Sequence, residues 1–196
     1  MTLNQFISKY NGESVNVDKM YGPQCWDLAA EYSRSVVGVP GSKFPFGLPT
    51  GDGRAAGVYY NFTSPLPKYY QRIARNSGVV PKPGDIVVWH YSLPNSGGSG
   101  HIAIVLSANK TGFVSFDQNW GGQYAHKVSH SYSYVAGFLR PISRTTVTPI
   151  YYTVKAGDYL YKIASTFKTT LSKILNLNPK IVDPNKISVG QKIRIK

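Results

Sequence analysis

The sequence predicts an α+β protein in two parts: helices packed on an antiparallel sheet, followed by a small β-α-α-β module. Three observations carry this expectation. Helical periodicity lies early in the first 142 residues and strand-like runs follow it as neighbours, the order of an α+β chain rather than an alternating one. Hydrophobic periodicity then lapses at residues 143–149, a Thr-rich run closed by Pro149 that reads as an extended linker. Residues 150–196 open a second, self-contained pattern.

Taken in order, Leu3, Phe6, Ile7 and Tyr10 fall at i, i+3, i+4 and i+7 behind Thr2, with Gly12 past the end, and predict a short amphipathic helix. A second helix is expected to start near Gln24 and Cys25 and run to about Val37, stopped by Gly38, Pro40 and Gly41. Residues 41–57 are rich in Gly and Pro and read as a long loop. Residues 85–90, 101–106 and 112–118 are strand-like, with a fourth strand around Tyr134–Leu139 and a turn at 96–100. In the tail, Tyr151–Val154 reads as a strand. Asp158 and Thr170 are candidate caps for two helices, one carrying Leu160, Ile163, Ala164 and Phe167 and the other Leu171, Ile174 and Leu175. Residues 192–196 alternate polar and apolar as a half-buried strand does.

Composition narrows the function. With 42% hydrophobic and 13% aromatic residues, and Gly and Pro without a period, the chain is neither disordered nor collagen-like. It contains no run of about 18 apolar residues, and its first ten residues lack the basic start and apolar stretch of a signal peptide. Synthesis in a host cytoplasm without a secretion signal is therefore expected, with no membrane insertion. The net charge of +13 is uneven, with 12 basic and 7 acidic residues in 1–143 against 9 and 2 in 150–196. Such a field attracts polyanions of any kind. No zinc finger, RRM or comparable motif accompanies it, so nucleic acid is not the expected partner.

A single cysteine excludes an internal disulfide and makes Cys25 either a small buried hydrophobe or a nucleophile. Its place at the start of a helix, beside free backbone N–H groups, favours the thiolate. His101 follows a glycine at the mouth of a strand, where its ring can project into a cleft. Asp117 and Asn119 end the neighbouring strand, and either can accept the far imidazole N–H. Each residue alone has an ordinary structural reading; their joint arrangement favours a cysteine–histidine hydrolase.

These motifs, Gln24-Cys25-Trp26-Asp27, Pro83-Gly84-Asp85, Gly100-His101-Ile102 and Asp117-Gln118-Asn119-Trp120, together resemble the CHAP domain, a papain-like family of peptidoglycan amidohydrolases and peptidases. The tail, with Tyr152, Gly157-Asp158-Tyr159-Leu160, Asn178-Pro179 and Val189-Gly190, is similar to the LysM module, which binds N-acetylglucosamine-containing glycans. The pair looks like a bacteriophage endolysin. The resemblance implies Cys25 as nucleophile, His101 as base and then acid, Asp117 as its orienting carboxylate with Asn119 sharing that task, and Gln24 as an oxyanion donor. Trp120 is expected to pack the cleft wall, and His90, His126 and His130 to be structural or superficial.

Some CHAP domains hold calcium in the loop before the cysteine. Here Asn16, Asp18, Met20, Gly22 and Asp27 fall at positions 1, 3, 5, 7 and 12 of such a loop, making Ca²⁺ a candidate cofactor. Only two carboxylates are present, and position 6 is not Gly; the alternative is a surface turn at Asp18 and a helix-start charge at Asp27. In the tail the resemblance implies a glycan groove formed by Gly157, Asp158, Tyr159 and Leu160 on one side and Asn178, Pro179 and Ile181 on the other. The expected partners are peptidoglycan and anionic wall polymers, and a monomer is expected to act at the cell wall after release. Amidase and cross-bridge endopeptidase chemistry stay open.

Overall fold

The computed structural model describes residues 1–41, 43, 45–142 and 150–195. The chain divides into two compact units, Met1–Ser143 and Arg144–Lys196. The expected linker, 143–149, lies outside the described residues.

In the first unit, α1 (Leu3–Tyr10) begins with Thr2 and Gln5 capping each other's backbone amides, and it buries Phe6. Helix α2 (Cys25–Tyr32) is buried from Trp26 onward and continues as a wider π turn over Ser33–Val37 until Gly38, in the left-handed region at φ 80°, ends it. A short α3 (Gly57–Tyr60) leaves the loop that follows.

Six strands form one antiparallel sheet: β1 (Tyr70–Ala74), β2 (Ile86–Trp89), β3 (His101–Ala108), β4 (Gly112–Asp117), β5 (His126–Ser131) and β6 (Val135–Pro141), in the spatial order β1-β6-β2-β3-β4-β5. Alternation along the central strands separates two cores. Ile86, Val88, Ile102, Ile104 and Phe116 pack with Phe6, Leu28 and Tyr32 of the helices. Val87, Trp89, Ala103, Val105, Phe113 and Phe138 form a second cluster. Because both faces of β2 are covered, its sequence is an unbroken apolar run.

Strands β1 and β5, and the short α3, lie in stretches that sequence reading left unassigned. Strand β5 alternates half-buried and exposed positions, and its half-buried ones are His126, Val128 and His130, too polar for a hydrophobic pattern to register.

In the second unit, β7 (Tyr151–Thr153) and β8 (Lys192–Arg194) pair antiparallel around α4 (Leu160–Thr166) and α5 (Leu171–Leu177). Val154, Leu160, Ile163, Ala164, Ile174, Ile193 and Ile195 are its core. Thr170 caps α5 by accepting from the Lys173 amide. Asp158 does not cap α4, whose N-cap position is Tyr159. Its carboxylate instead accepts the Lys155 amide at 2.9 Å and the Tyr152 hydroxyl at 2.6 Å, closing the turn that precedes the helix.

Candidate active site

Two structural facts bring Cys25 and His101 together. Cys25 is the first residue of α2, where the backbone N–H groups lack helical partners. His101 is the first residue of β3, opposite Trp89, after a glycine whose φ of 69° turns the chain into the strand. In an antiparallel pair the start of β3 lies beside the end of β4, so Asp117 arrives at the same sheet end. His101 Nε2 stands 2.8 Å from Asp117 Oδ1, and both side chains are almost fully buried. With Nε2 engaged by the carboxylate, Nδ1 is the ring nitrogen left for the Cys25 sulfur, which hydrogen-bonds the ring.

The electrostatics follow from that geometry. Burial alone disfavours a charged imidazole, but the charge of the Cys25 sulfur, hydrogen bonds to Asp117 and Cys25, and the Asp117 charge outweigh it. The His101 pKa is raised from 6.5 to about 9. Burial likewise opposes an ionised Asp117, yet hydrogen bonds to His101 and His130 hold its pKa below the ordinary carboxylate value. Around pH 7 the site thus contains an imidazolium backed by a carboxylate and facing sulfur.

Residues 117–119 fasten the loop before Cys25 as well as the His101 ring. Gln118 is fully buried; its Oε1 accepts the Val15 amide at 2.7 Å, while Nε2 donates to the carbonyls of Val15 and Gln24, each at 2.7 Å. One buried amide thereby ties the end of β4 to the residue preceding Cys25. Asn119, at a left-handed φ of 62°, donates to Gln24 Oε1 at 3.1 Å and does not accept the His101 N–H, which goes to Asp117. Gln24 Nε2 donates one hydrogen to the Tyr21 carbonyl, which leaves its second. Sequence reasoning missed Gln118, although its place between two site residues was a usable signal.

Trp120 stacks obliquely on the His101 ring, with centroids 4.9 Å apart, and also packs on Trp89. His130 lies beside Asp117, unlike His90, which is exposed, and His126, which rests on Tyr124. Finding it required the pairing of Phe113 with His130 across β4 and β5, which places both on one face.

Two cavities meet at Cys25. One, of about 410 Å³, is lined by Gln24, Cys25, Asn95, Ser96, His101 and Trp120. The other, of about 630 Å³, runs along Met20, Tyr21, Cys25, Trp26, Pro45 and Arg54. A chain laid through both passes over the half-buried thiol.

The loop before the cysteine offers oxygen donors suited to a hard cation. Asn16 Oδ1 is buried without a partner. Burial, and then the nearby charge of Asp18, push the Asp27 pKa up, a strain that a cation would relieve. The Asp27 oxygens accept the Val17 and Gln24 amides at 2.9 and 2.8 Å and the carboxylate also takes the Asp18 amide, while Asp18 accepts from Met20; lone pairs remain on both carboxylates. Among the described residues no three His, Cys, Asp or Glu side chains cluster as a metal site, so any ion here depends on Asn16 and on backbone carbonyls such as those of Met20 and Gly22.

In the second unit, Tyr159 is 58% exposed and Gly157 sits open at φ 80°. Leu160 is buried in the core, so its side chain is packing rather than contact surface. The Asn178 amide is consumed internally, donating to the Ile174 and Arg194 carbonyls and accepting the Arg194 N–H. Ile181 packs half-buried against that core and Pro179 is exposed.

Comparison with known proteins agrees with this architecture. Residues 14–130 match the family model of the CHAP domain, and residues 152–196 that of the LysM domain. The chain is 36% identical over 117 residues to "Probable autolysin PH" of Staphylococcus aureus, covering 57% of this chain and 21% of that protein. It is 31% identical over 151 residues to endolysin PlyTW of Staphylococcus phage Twort, covering 69% and 28%. The chain thus spans between a fifth and a third of the length of these curated relatives. The crystal structure of the endolysin LysIME-EF1 superposes with a TM-score of 0.56 at 24% identity, over 94% of this chain and 89% of that one, and shows a shared fold. Among the described residues no helix is long and apolar enough to cross a membrane.

Proposed function

Because the chain belongs to the CHAP domain family, we propose that it is a peptidoglycan hydrolase of the endolysin type, cutting an amide bond in the stem peptide or cross-bridge and held on the wall by its LysM unit. The observation that carries this reading is the Cys25–His101–Asp117 assembly at the junction of two cavities.

In the proposed reaction Cys25 sulfur attacks the carbonyl carbon and the carbonyl oxygen becomes an oxyanion. The Cys25 backbone N–H and the remaining Gln24 Nε2 hydrogen are its donors; losing one such donor typically costs about 10²–10³ in rate. His101 gives its proton to the leaving amine as the C–N bond breaks, leaving a thioester on Cys25. The neutral ring then takes a proton from water as the water oxygen attacks the thioester; the C–S bond breaks, the product carboxylate leaves, and the sulfur departs as thiolate facing the re-formed imidazolium. Asp117 holds the ring's Nε2–H throughout, and Asn119 acts by holding Gln24.

Around the LysM unit, Gly157, Asp158, Tyr159, Pro179 and Ile181, with the backbone at Leu160 and Asn178, are the proposed glycan-contacting positions. The excess positive charge draws the molecule to anionic wall polymers. A calcium ion held by Asn16, Asp18, Asp27 and the Met20 and Gly22 carbonyls would neutralise two carboxylates and stiffen the loop that delivers Cys25. Calcium should then raise the melting temperature over that in EGTA, and Asn16→Ala should abolish the increment.

Purified walls test the main reading. The intact chain should clear them, and Cys25→Ala should bind them without clearing. Clearing by Cys25→Ala would refute a cysteine mechanism, and a wild-type chain that binds but never clears would make this a wall-binding protein. Mass spectrometry of the fragments separates the two bonds: a new free lactyl carboxyl on muramic acid marks an amidase, a new cross-bridge amine an endopeptidase.

A further inference from the structure

His130, on β5, has a side chain only 5% exposed and lies with Nε2 3.3 Å from Asp117 Oδ2. An ionised carboxylate only accepts, so His130 Nε2 carries the hydrogen in that contact. The ring is boxed by Phe113, stacked at 5.3 Å between centroids, by Trp89 at 4.9 Å and by Trp120 at 4.7 Å. Across the carboxylate the work is divided. Oδ1 receives His101, whereas Oδ2 receives the Ser115 hydroxyl at 2.6 Å and His130. A fully buried carboxylate needs its lone pairs filled, and a planar group pinned at one oxygen cannot turn the other away from its partner.

We propose that His130 is a positioning residue of the catalytic pair: with Ser115 it fixes Asp117 Oδ2 so that Oδ1 stays on His101 Nε2. It touches neither substrate nor sulfur and acts through Asp117. The proposal rests on the reading of Cys25, His101 and Asp117 as catalytic, so its test needs a readout independent of wall hydrolysis. The single thiol provides one: alkylation of Cys25 by iodoacetamide at pH 7 reports the assembled pair without any wall.

Two substitutions separate positioning from space-filling. Phenylalanine suits the aromatic box but donates nothing; glutamine packs less well there but keeps an N–H near the Nε2 position. His130→Phe should slow both wall clearing and Cys25 alkylation by about tenfold, the scale of one charge-assisted hydrogen bond. His130→Gln should stay within about threefold of the wild type on both, as expected when its amide retains that bond. A space-filling role gives the opposite order. Wild-type rates in His130→Phe, or equal losses in the two variants, would overturn the proposal. Should His130→Phe fail to fold by circular dichroism, His130→Asn, too short to reach Asp117, replaces it, and wild-type rates there would overturn the proposal equally. If no variant or wild type clears walls while alkylation keeps the stated order, the hydrolase reading falls and the positioning role stands.

Discussion

His101 carries the sharpest consequence at the scale of single residues. Its folded-state pKa, about 9, lies above the ordinary 6.5, so the stability it contributes is fully present below pH 6.5 and is lost as pH rises through about 9. Melting temperature should therefore fall over that interval, and wall clearing should decline with it because the leaving amine loses its proton donor. Asp117→Asn removes the charge behind the ring. The alkaline limb should move toward lower pH and clearing at pH 8 should drop on the order of 10²-fold, measured as turbidity loss against pH. Cys25, His101 and Asp117 were legible in the sequence because each stands at an element boundary, next to Gln24, Gly100 and the end of a strand. Gln118 and His130 were not, since the first serves backbone groups of a distant loop and the second depends on a register between strands that no residue spacing encodes.

At the scale of elements, the turn into β3 and the end of β4 decide whether the site exists. A Cβ at position 100 would lie 2.5 Å from the Trp89 carbonyl oxygen and 2.8 Å from Ala56 Cβ, in a backbone conformation that L side chains rarely adopt. Gly100→Ala should therefore lower the melting temperature and displace His101, reducing clearing more than wall retention. Gln118→Leu strands the Val15 amide and the Val15 and Gln24 carbonyls and should cost about 2–4 kcal/mol in a denaturant titration. The helices and central strands were legible from apolar spacing. Strand β1 was not, because its pattern of Tyr70, Gln71, Arg72, Ile73 and Ala74 buries two residues three apart, a helical spacing on an edge strand. Asp158 was expected at a helix cap because Asp commonly caps; the Tyr152 hydroxyl and the Lys155 amide won it for the turn instead.

For the whole molecule, charge and chemistry are unevenly shared. The Cys25–His101–Asp117 cluster lies in the first unit, and the tail holds 9 basic against 2 acidic residues. Retention on anionic walls should weaken steadily between 50 and 500 mM salt, values set by a Debye length that shrinks from roughly 14 to 4 Å. Retention on walls stripped of anionic polymer should respond far less. A final consequence comes from the solitary sulfur. With no second cysteine anywhere in the chain, a peroxide-oxidised Cys25 has no internal thiol to capture the sulfenic acid as a disulfide. Rescue must then come from a reductant outside the chain, and exposure long enough to reach the sulfinic stage should end wall clearing for good, read as activity that added thiol does not restore.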